Sequence, residues 1–144
     1  MKNAELYDRD FAEWTRQNAE LLRSGRVSEA DLEHIAEEIE DMGKRERRSL
    51  FTRCVRLIEH LLKWEHQPER RGRSWSQTIY LQRKGIRRLL KENPSLTPHM
   101  PELVAEAYEE AAGSASIVTG LTLNVFPSAC PWTVEQLLDD EFLP

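Results

Sequence analysis

The sequence predicts an all-α fold: a single-domain, multi-helix bundle over residues 1–144, built around a long bent central helix, with an irregular proline-containing segment before a short C-terminal helix. Three observations predict it. From Ser28 to His66 apolar residues recur at spacings of three and four, the mark of a helical face. Ser28, Ser74 and Thr133 are each followed three residues later by Asp or Gln, the pattern of a capping box that opens a helix. The one segment with extended character, Leu121 to Phe126, is short and has no partner strand elsewhere in the chain.

Taken in order, Tyr7, Phe11, Trp14, Ala19 and Leu22 share a face and predict a first amphipathic helix over about 8–23, with Asp8 or Asp10 as its cap. Ser24-Gly25 supplies its left-handed stop. The central helix follows, with Ser28 as N-cap and Val27 and Leu32 as a hydrophobic staple. Leu32, Ile35, Ile39 and Met42 form its first apolar stripe, opposite Glu33, Glu37, Glu40 and Asp41. Gly43 weakens the helix by roughly 1 kcal/mol relative to alanine, which places a bend or joint near Met42–Lys44. Beyond it Leu50, Phe51, Cys54, Val55, Leu57, Ile58, Leu61, Leu62 and Trp64 cover more than half the circumference. A helix so apolar is buried on several sides or shared with a second chain. Arg53, Arg56 and Glu59 interrupt the run, so it is no membrane span, and Gln67-Pro68 ends it.

After an arginine-rich loop over 68–73, Ser74 and Gln77 cap a helix through Trp75, Ile79, Ile86, Leu89 and Leu90, with Arg83, Lys84, Arg87, Arg88 and Lys91 on its exposed side. Asn93-Pro94 stops it. Three prolines over 94–101 make a rigid connection, and Pro101, with Pro98 as second choice, fits the first turn of the next helix. That helix runs to about Thr119, and its AAGSAS half has almost no side-chain bulk, so another helix can approach it closely. Gly120 ends it. Prolines keep residues 121–133 irregular. Thr133 and Gln136 then cap a last helix, Val134 to Leu138, and Phe142-Leu143-Pro144 is expected to be tied to the core.

At 144 residues the chain is long enough for a real core, and 31% charged against 40% hydrophobic residues is an ordinary globular balance. No apolar run approaches twenty residues and no basic-then-apolar leader is present. The expectation is therefore a cytoplasmic protein with no membrane contact, whose two cysteines, Cys54 and Cys130, are reduced and structural. Charge is segregated: residues 1–43 carry net −7, residues 44–91 net +11, and residues 92–144 net −9 with no Lys or Arg at all.

Several short stretches form an ordered set: Tyr7-x-x-Asp10-Phe11-x-x-Trp14, Leu21-Leu22-Arg23-x-Gly25-Arg26, Glu37 to Gly43, His60-Leu61-Leu62-Lys63-Trp64, Gln67-Pro68, Ser74-Trp75 and Gln82-Arg83. Phe126-Pro127, Cys130-Pro131-Trp132-Thr133 and Phe142-Leu143-Pro144 complete it. In this order and spacing the chain resembles, over nearly its whole length, the bacterial family known as domain of unknown function twenty-nine. The resemblance implies a small all-helical cytoplasmic protein and no particular activity. Two positions depart from the family's pattern: Val118, where the family usually places glutamate, and His66, where tyrosine is more usual.

Four functional readings are open. For a metal centre, Asp31, His34 and Glu38 lie near one helical face and His60 is a further candidate; di-iron bundles use such carboxylate–histidine pairs twice, but here the pair occurs once. A solvated acidic face is the plainer account. For nucleic acid, Arg70, Arg71, Arg73, Trp75, Arg83, Lys84, Arg87, Arg88 and Lys91 form a basic patch with an aromatic beside it, and Lys44, Arg45, Arg47, Arg48, Arg53 and Arg56 add a basic helix face. Against this, the chain is acidic overall and its ends can neutralise its middle. For catalysis there is no phosphate loop, no His-Glu-x-x-His and no Cys-x-x-Cys, and no catalytic residue is assigned. For self-association, Phe51, Val55, Ile58 and Leu62 make a second stripe beside the first, open to an internal core or a homodimer interface. The leading expectation is a non-enzymatic binding or interaction module without a cofactor, its partner a protein or a second copy; phosphate-backbone binding through 44–91 comes next, and a metal-dependent enzyme last.

Overall fold

In the computed structural model, residues 2–144 are described, and among them every regular element is helical. The helices are α1 (Asn3–Arg9), α2 (Phe11–Arg23), α3 (Leu32–His66), α4 (Arg73–Glu92), α5 (Met100–Thr119) and α6 (Val134–Leu138), with short 3-10 turns in the connections. None is long and apolar enough to cross a membrane. The residues gather into two compact units, one up to Arg45 and one from Glu46. The boundary falls inside α3, which runs for 35 residues without a break through Gly43.

In the first unit the expected opening helix is two helices. Asp10 leaves helical geometry at φ −151°, and its carboxylate accepts from the Glu13 N–H to cap α2. The acid that caps one helix thus ends the one before it. Gly25, at φ +76°, closes α2: its N–H reaches the Leu22 carbonyl and that of Arg26 reaches Leu21, the paired bonds of a Schellman motif. Ser28 is not the cap of α3. It lies in a 3-10 turn, Val27–Glu29, and α3 begins four residues later, directly after Asp31. Asp31 wins that place because more holds it there: its N–H donates to Asn18 Oδ1 at 2.9 Å, and its carboxylate accepts from the Trp14 indole at 2.9 Å. Asn18 also exchanges side-chain amide bonds with Asn3 at 2.7 and 2.8 Å, which ties α1 to α2.

This polar knot sits on the Asp31–His34–Glu38 edge of α3, not on the stripe predicted to be clad. Leu32, Ile39 and Met42 consequently remain exposed, at 50%, 63% and 58%.

The second unit holds the apolar core. Leu50, Leu57, Ile58, Leu61 and Leu62 of α3 are completely buried against Ile79 and Ile86 of α4, Val104, Ala107 and Ala111 of α5, and Leu137 of α6. Burying each such side chain contributes on the order of 2 kcal/mol. Of the second stripe, Ile58 and Leu62 are internal and Phe51 and Val55 pack partly buried against the same core. The helix α4 starts at Arg73 after Gly72, with no side-chain cap, so Ser74 lies inside the first turn. Ser76 Oγ instead donates to the Gly72 carbonyl. Asn93 ends α4, Pro101 opens α5, and Gly120 at φ +77° closes it, all as the sequence predicts.

The Thr133–Gln136 capping box forms in full, and α6 occupies the expected Val134–Leu138. Five residues cannot hold a helix by themselves. Leu137 is buried, and two arginines of α4 take the carbonyls at the C-terminal end. Arg83 donates to Leu137 O and to Phe142 O, both at 2.7 Å, and Arg87 donates to Leu138 O at 2.8 Å while forking onto the Asp140 carboxylate at 3.0 and 3.1 Å.

Candidate functional site

The nine residues of the predicted basic patch do not act as one surface. Arg83, expected on the exposed side of its helix, is only 1% exposed, because it lies four residues after Ile79 and three before Ile86, on the buried face of α4. Burial lowers its pKa from the ordinary arginine value, while Asp140 and Asp139 oppose that. Its positive charge meets the negative end of α6, where free carbonyls gather. Arg87 is spent on the same segment, Arg88 pairs with Glu92 at 3.0 Å, and Arg71 donates to the Trp64 carbonyl and lies over the Trp64 ring. Trp75 is covered by the Lys63 ammonium, 5.1 Å from its ring centre. Arg70, Arg73, Lys84 and Lys91 remain exposed. From the basic face of α3, Arg53 lies across α4, bonding Gln82 and packing so close to Gly85 that a Cβ there would come within 2.5 Å of its guanidinium.

The weak metal candidates are distributed differently. Asp31 and His34 bond each other at 2.6 Å. Glu38 instead accepts from the Tyr7 hydroxyl at 2.5 Å, and the Tyr7 ring stacks on His34 with centroids 3.9 Å apart. His60 turns its Nδ1 to the Arg56 carbonyl of its own helix at 2.8 Å. Among the described residues no three His, Cys, Asp or Glu side chains converge as metal ligands would. The cluster is electrostatically settled. The Asp31 hydrogen bond raises His34; burial pushes Asp31 up, but the bonds from His34 and Trp14 outweigh it and hold it below the usual value. The bond to Glu38 pushes the Tyr7 phenol to about 12.

The concave feature of the second unit lies between α5 and residues 123–135, a groove of 1260 Å³. Its floor is Val104, Tyr108, Ala112, Phe126 and Trp132, all buried. Its mouth carries Ala105, Glu109, Leu123, Ala129 and Glu135, all exposed. The α5 wall follows from helical spacing, since Pro101, Val104, Ala105, Tyr108 and Ala112 share one face. The opposite wall is irregular because Pro127 and Pro131 forbid regular structure there, and it is tied down by a bond from the Tyr108 hydroxyl to the Pro127 carbonyl at 2.6 Å. Burial raises the Cys130 thiol, whose hydrogen goes to the Trp132 carbonyl, so this cysteine is held as a neutral thiol.

The family model described as domain of unknown function DUF29 matches residues 6–143. The chain belongs to the DUF29 family. The match takes in both units of this DUF29 chain, the Tyr7–His34 cluster and the whole groove. No curated protein and no solved structure matches the chain. Sequence reasoning missed the groove. Of the bulk-free AAGSAS stretch only Ala112 lines the groove. Its traces were the Phe126-Pro127 and Cys130-Pro131-Trp132-Thr133 pieces of the DUF29 pattern, which looked like a packed turn. They are a packed turn, and the turn is one wall.

Proposed function

We propose that this DUF29 chain is a non-enzymatic protein-interaction module of the cytoplasm, and that the groove between α5 and residues 123–135 receives a segment of its partner. The groove itself carries the reading. It is larger than the roughly 300–1,000 Å³ typical of small-molecule pockets, and its mouth is exposed along its length. Its floor is apolar and aromatic, the composition of an interface centre. The engagement of Arg83 and Arg87 with the chain's own C-terminal segment favours a protein partner over nucleic acid, because two of the strongest phosphate-binding candidates are already in use.

A photo-crosslinking amino acid placed in living cells at Ala105 or Ser128, both in the groove, tests this. The expected result is one discrete crosslinked protein from these two positions and none from the control position Arg9 on α1. The same product from Arg9, or adducts to nucleic acid from the groove, would refute it.

A further inference from the structure

We infer that the occupant of the groove is a cationic amphipathic helix; this rests on the groove being a protein-binding site. Charge is the first argument. Glu109 and Glu135 stand on opposite walls, and Glu102 and Glu106 extend the same acidic edge along α5, at i, i+4 and i+7 with Glu109. All four are exposed, and none forms an ion pair among the described residues. Residues 92–144 contain no Lys or Arg to neutralise them. Of the same segment's other acids, Glu92 is met by Arg88 and Asp140 by Arg87, while Glu110, Asp139 and Glu141 form no ion pair among the described residues. Both of those pairs use arginines of α4, and no cation lies among the residues that line the groove.

Shape is the second argument. No strand occurs among the described residues, so the groove offers no sheet edge for strand addition, and its helical wall suits the helix-in-groove mode. Ala105 and Ala112 are short enough for a helix backbone to come close to α5. From Pro101 to Ala112 the wall is about 17 Å long, room for about three turns. Apolar side chains at i, i+3, i+4 and i+7 of the occupant would meet Tyr108, Phe126 and Trp132, while Lys or Arg on its flanks would meet Glu109 and Glu135.

Three model peptides test this on the full chain. They share one Leu/Ala helical face, and their flanks are all Lys, all Gln or all Glu. A fourth has the composition of the Lys peptide in scrambled order. Binding is followed by amide NMR shifts of the isotope-labelled protein. The Lys peptide is expected to move the amides of Ala105, Glu109, Ala129 and Glu135, to bind about tenfold more tightly than the Gln peptide, and to weaken as salt rises. The Glu and scrambled peptides should bind more weakly than either. The variant E102Q/E106Q/E109Q/E135Q should bring the Lys peptide to the level of the Gln peptide and leave the Gln peptide unchanged. Equal binding of the Lys and Gln peptides overturns the inference and leaves the groove reading standing. Lys-peptide shifts confined to Glu37–Asp41 of α3 overturn it too. Shifts in the groove from none of the peptides overturn both.

Discussion

Arg83 shows how far a side chain's role can depart from its sequence context. It sits in a basic run and resembles its neighbours, yet it is the largest fully buried side chain among the described residues. A guanidinium carries five donors in a fixed fork, and here the fork spans a helix end and a loop, joining Leu137 O to Phe142 O. Removing it leaves buried carbonyls without a donor, at about 1–3 kcal/mol each. R83M, which keeps the bulk and loses the donors, is therefore expected to destabilise the second unit by about 3 kcal/mol in urea unfolding. K84M, on an exposed neighbour, should change it by less than about 0.5 kcal/mol. Equal losses from the two variants would refute the clamp. Helical spacing does separate Arg83 from Lys84, since Arg83 lies four residues after Ile79 and three before Ile86, on the buried face; what spacing does not show is its partner, which arrives from more than fifty positions later.

At the scale of elements, the signals that were legible are those in which one residue acts on its own backbone. Gly25 and Gly120 stop their helices, Pro101 starts one, and Thr133 with Gln136 builds the expected box. The illegible ones are choices between competing caps. Ser28 and Ser74 satisfy the capping pattern and lose, Ser28 to an aspartate held by Trp14 and Asn18 and Ser74 to an earlier start at Arg73. Such contests are decided by distant partners, which spacing does not show. The joint expected near Gly43 does not interrupt α3: the residue occupies helical backbone, with open space where a Cβ would stand. G43A is accordingly expected to stabilise the chain by about 0.5–1 kcal/mol, read as a rise in thermal midpoint. A fall would mean that Gly43 does more than continue a helix.

Across the whole molecule, the two units rest on different physics. The second is an apolar core with peripheral ion pairs, of which Arg87–Asp140 is half-exposed and contributes at most about 1 kcal/mol. The first has Trp14 at its centre and is otherwise held by a network of Asn3, Asn18, Asp31, His34, Tyr7 and Glu38. Its stability should therefore follow pH. The raised His34 contributes fully below its unfolded value of 6.5, and that contribution is lost as pH rises through the higher folded value. The lowered Asp31 contributes fully above 3.8 and is lost as pH falls through its lower folded value. Hydrogen exchange of α1 and α2 amides, corrected for intrinsic rate, should show greatest protection between these two limits and less above them. H34F should flatten the alkaline limb, and an unchanged profile in that variant would assign the pH dependence elsewhere. The charge segregation that signalled cancellation was legible, and Arg87–Asp140 is an instance of it; the acidic edge of α5, left over, was hidden within the same total.

The clamp also sets a timetable for biosynthesis. Arg83 must wait until Phe142 has cleared the ribosome before its fork can close. The wall that α6 anchors is thus completed only when translation of this region is finished, so a nascent chain carries α5 with its aromatic floor unfinished.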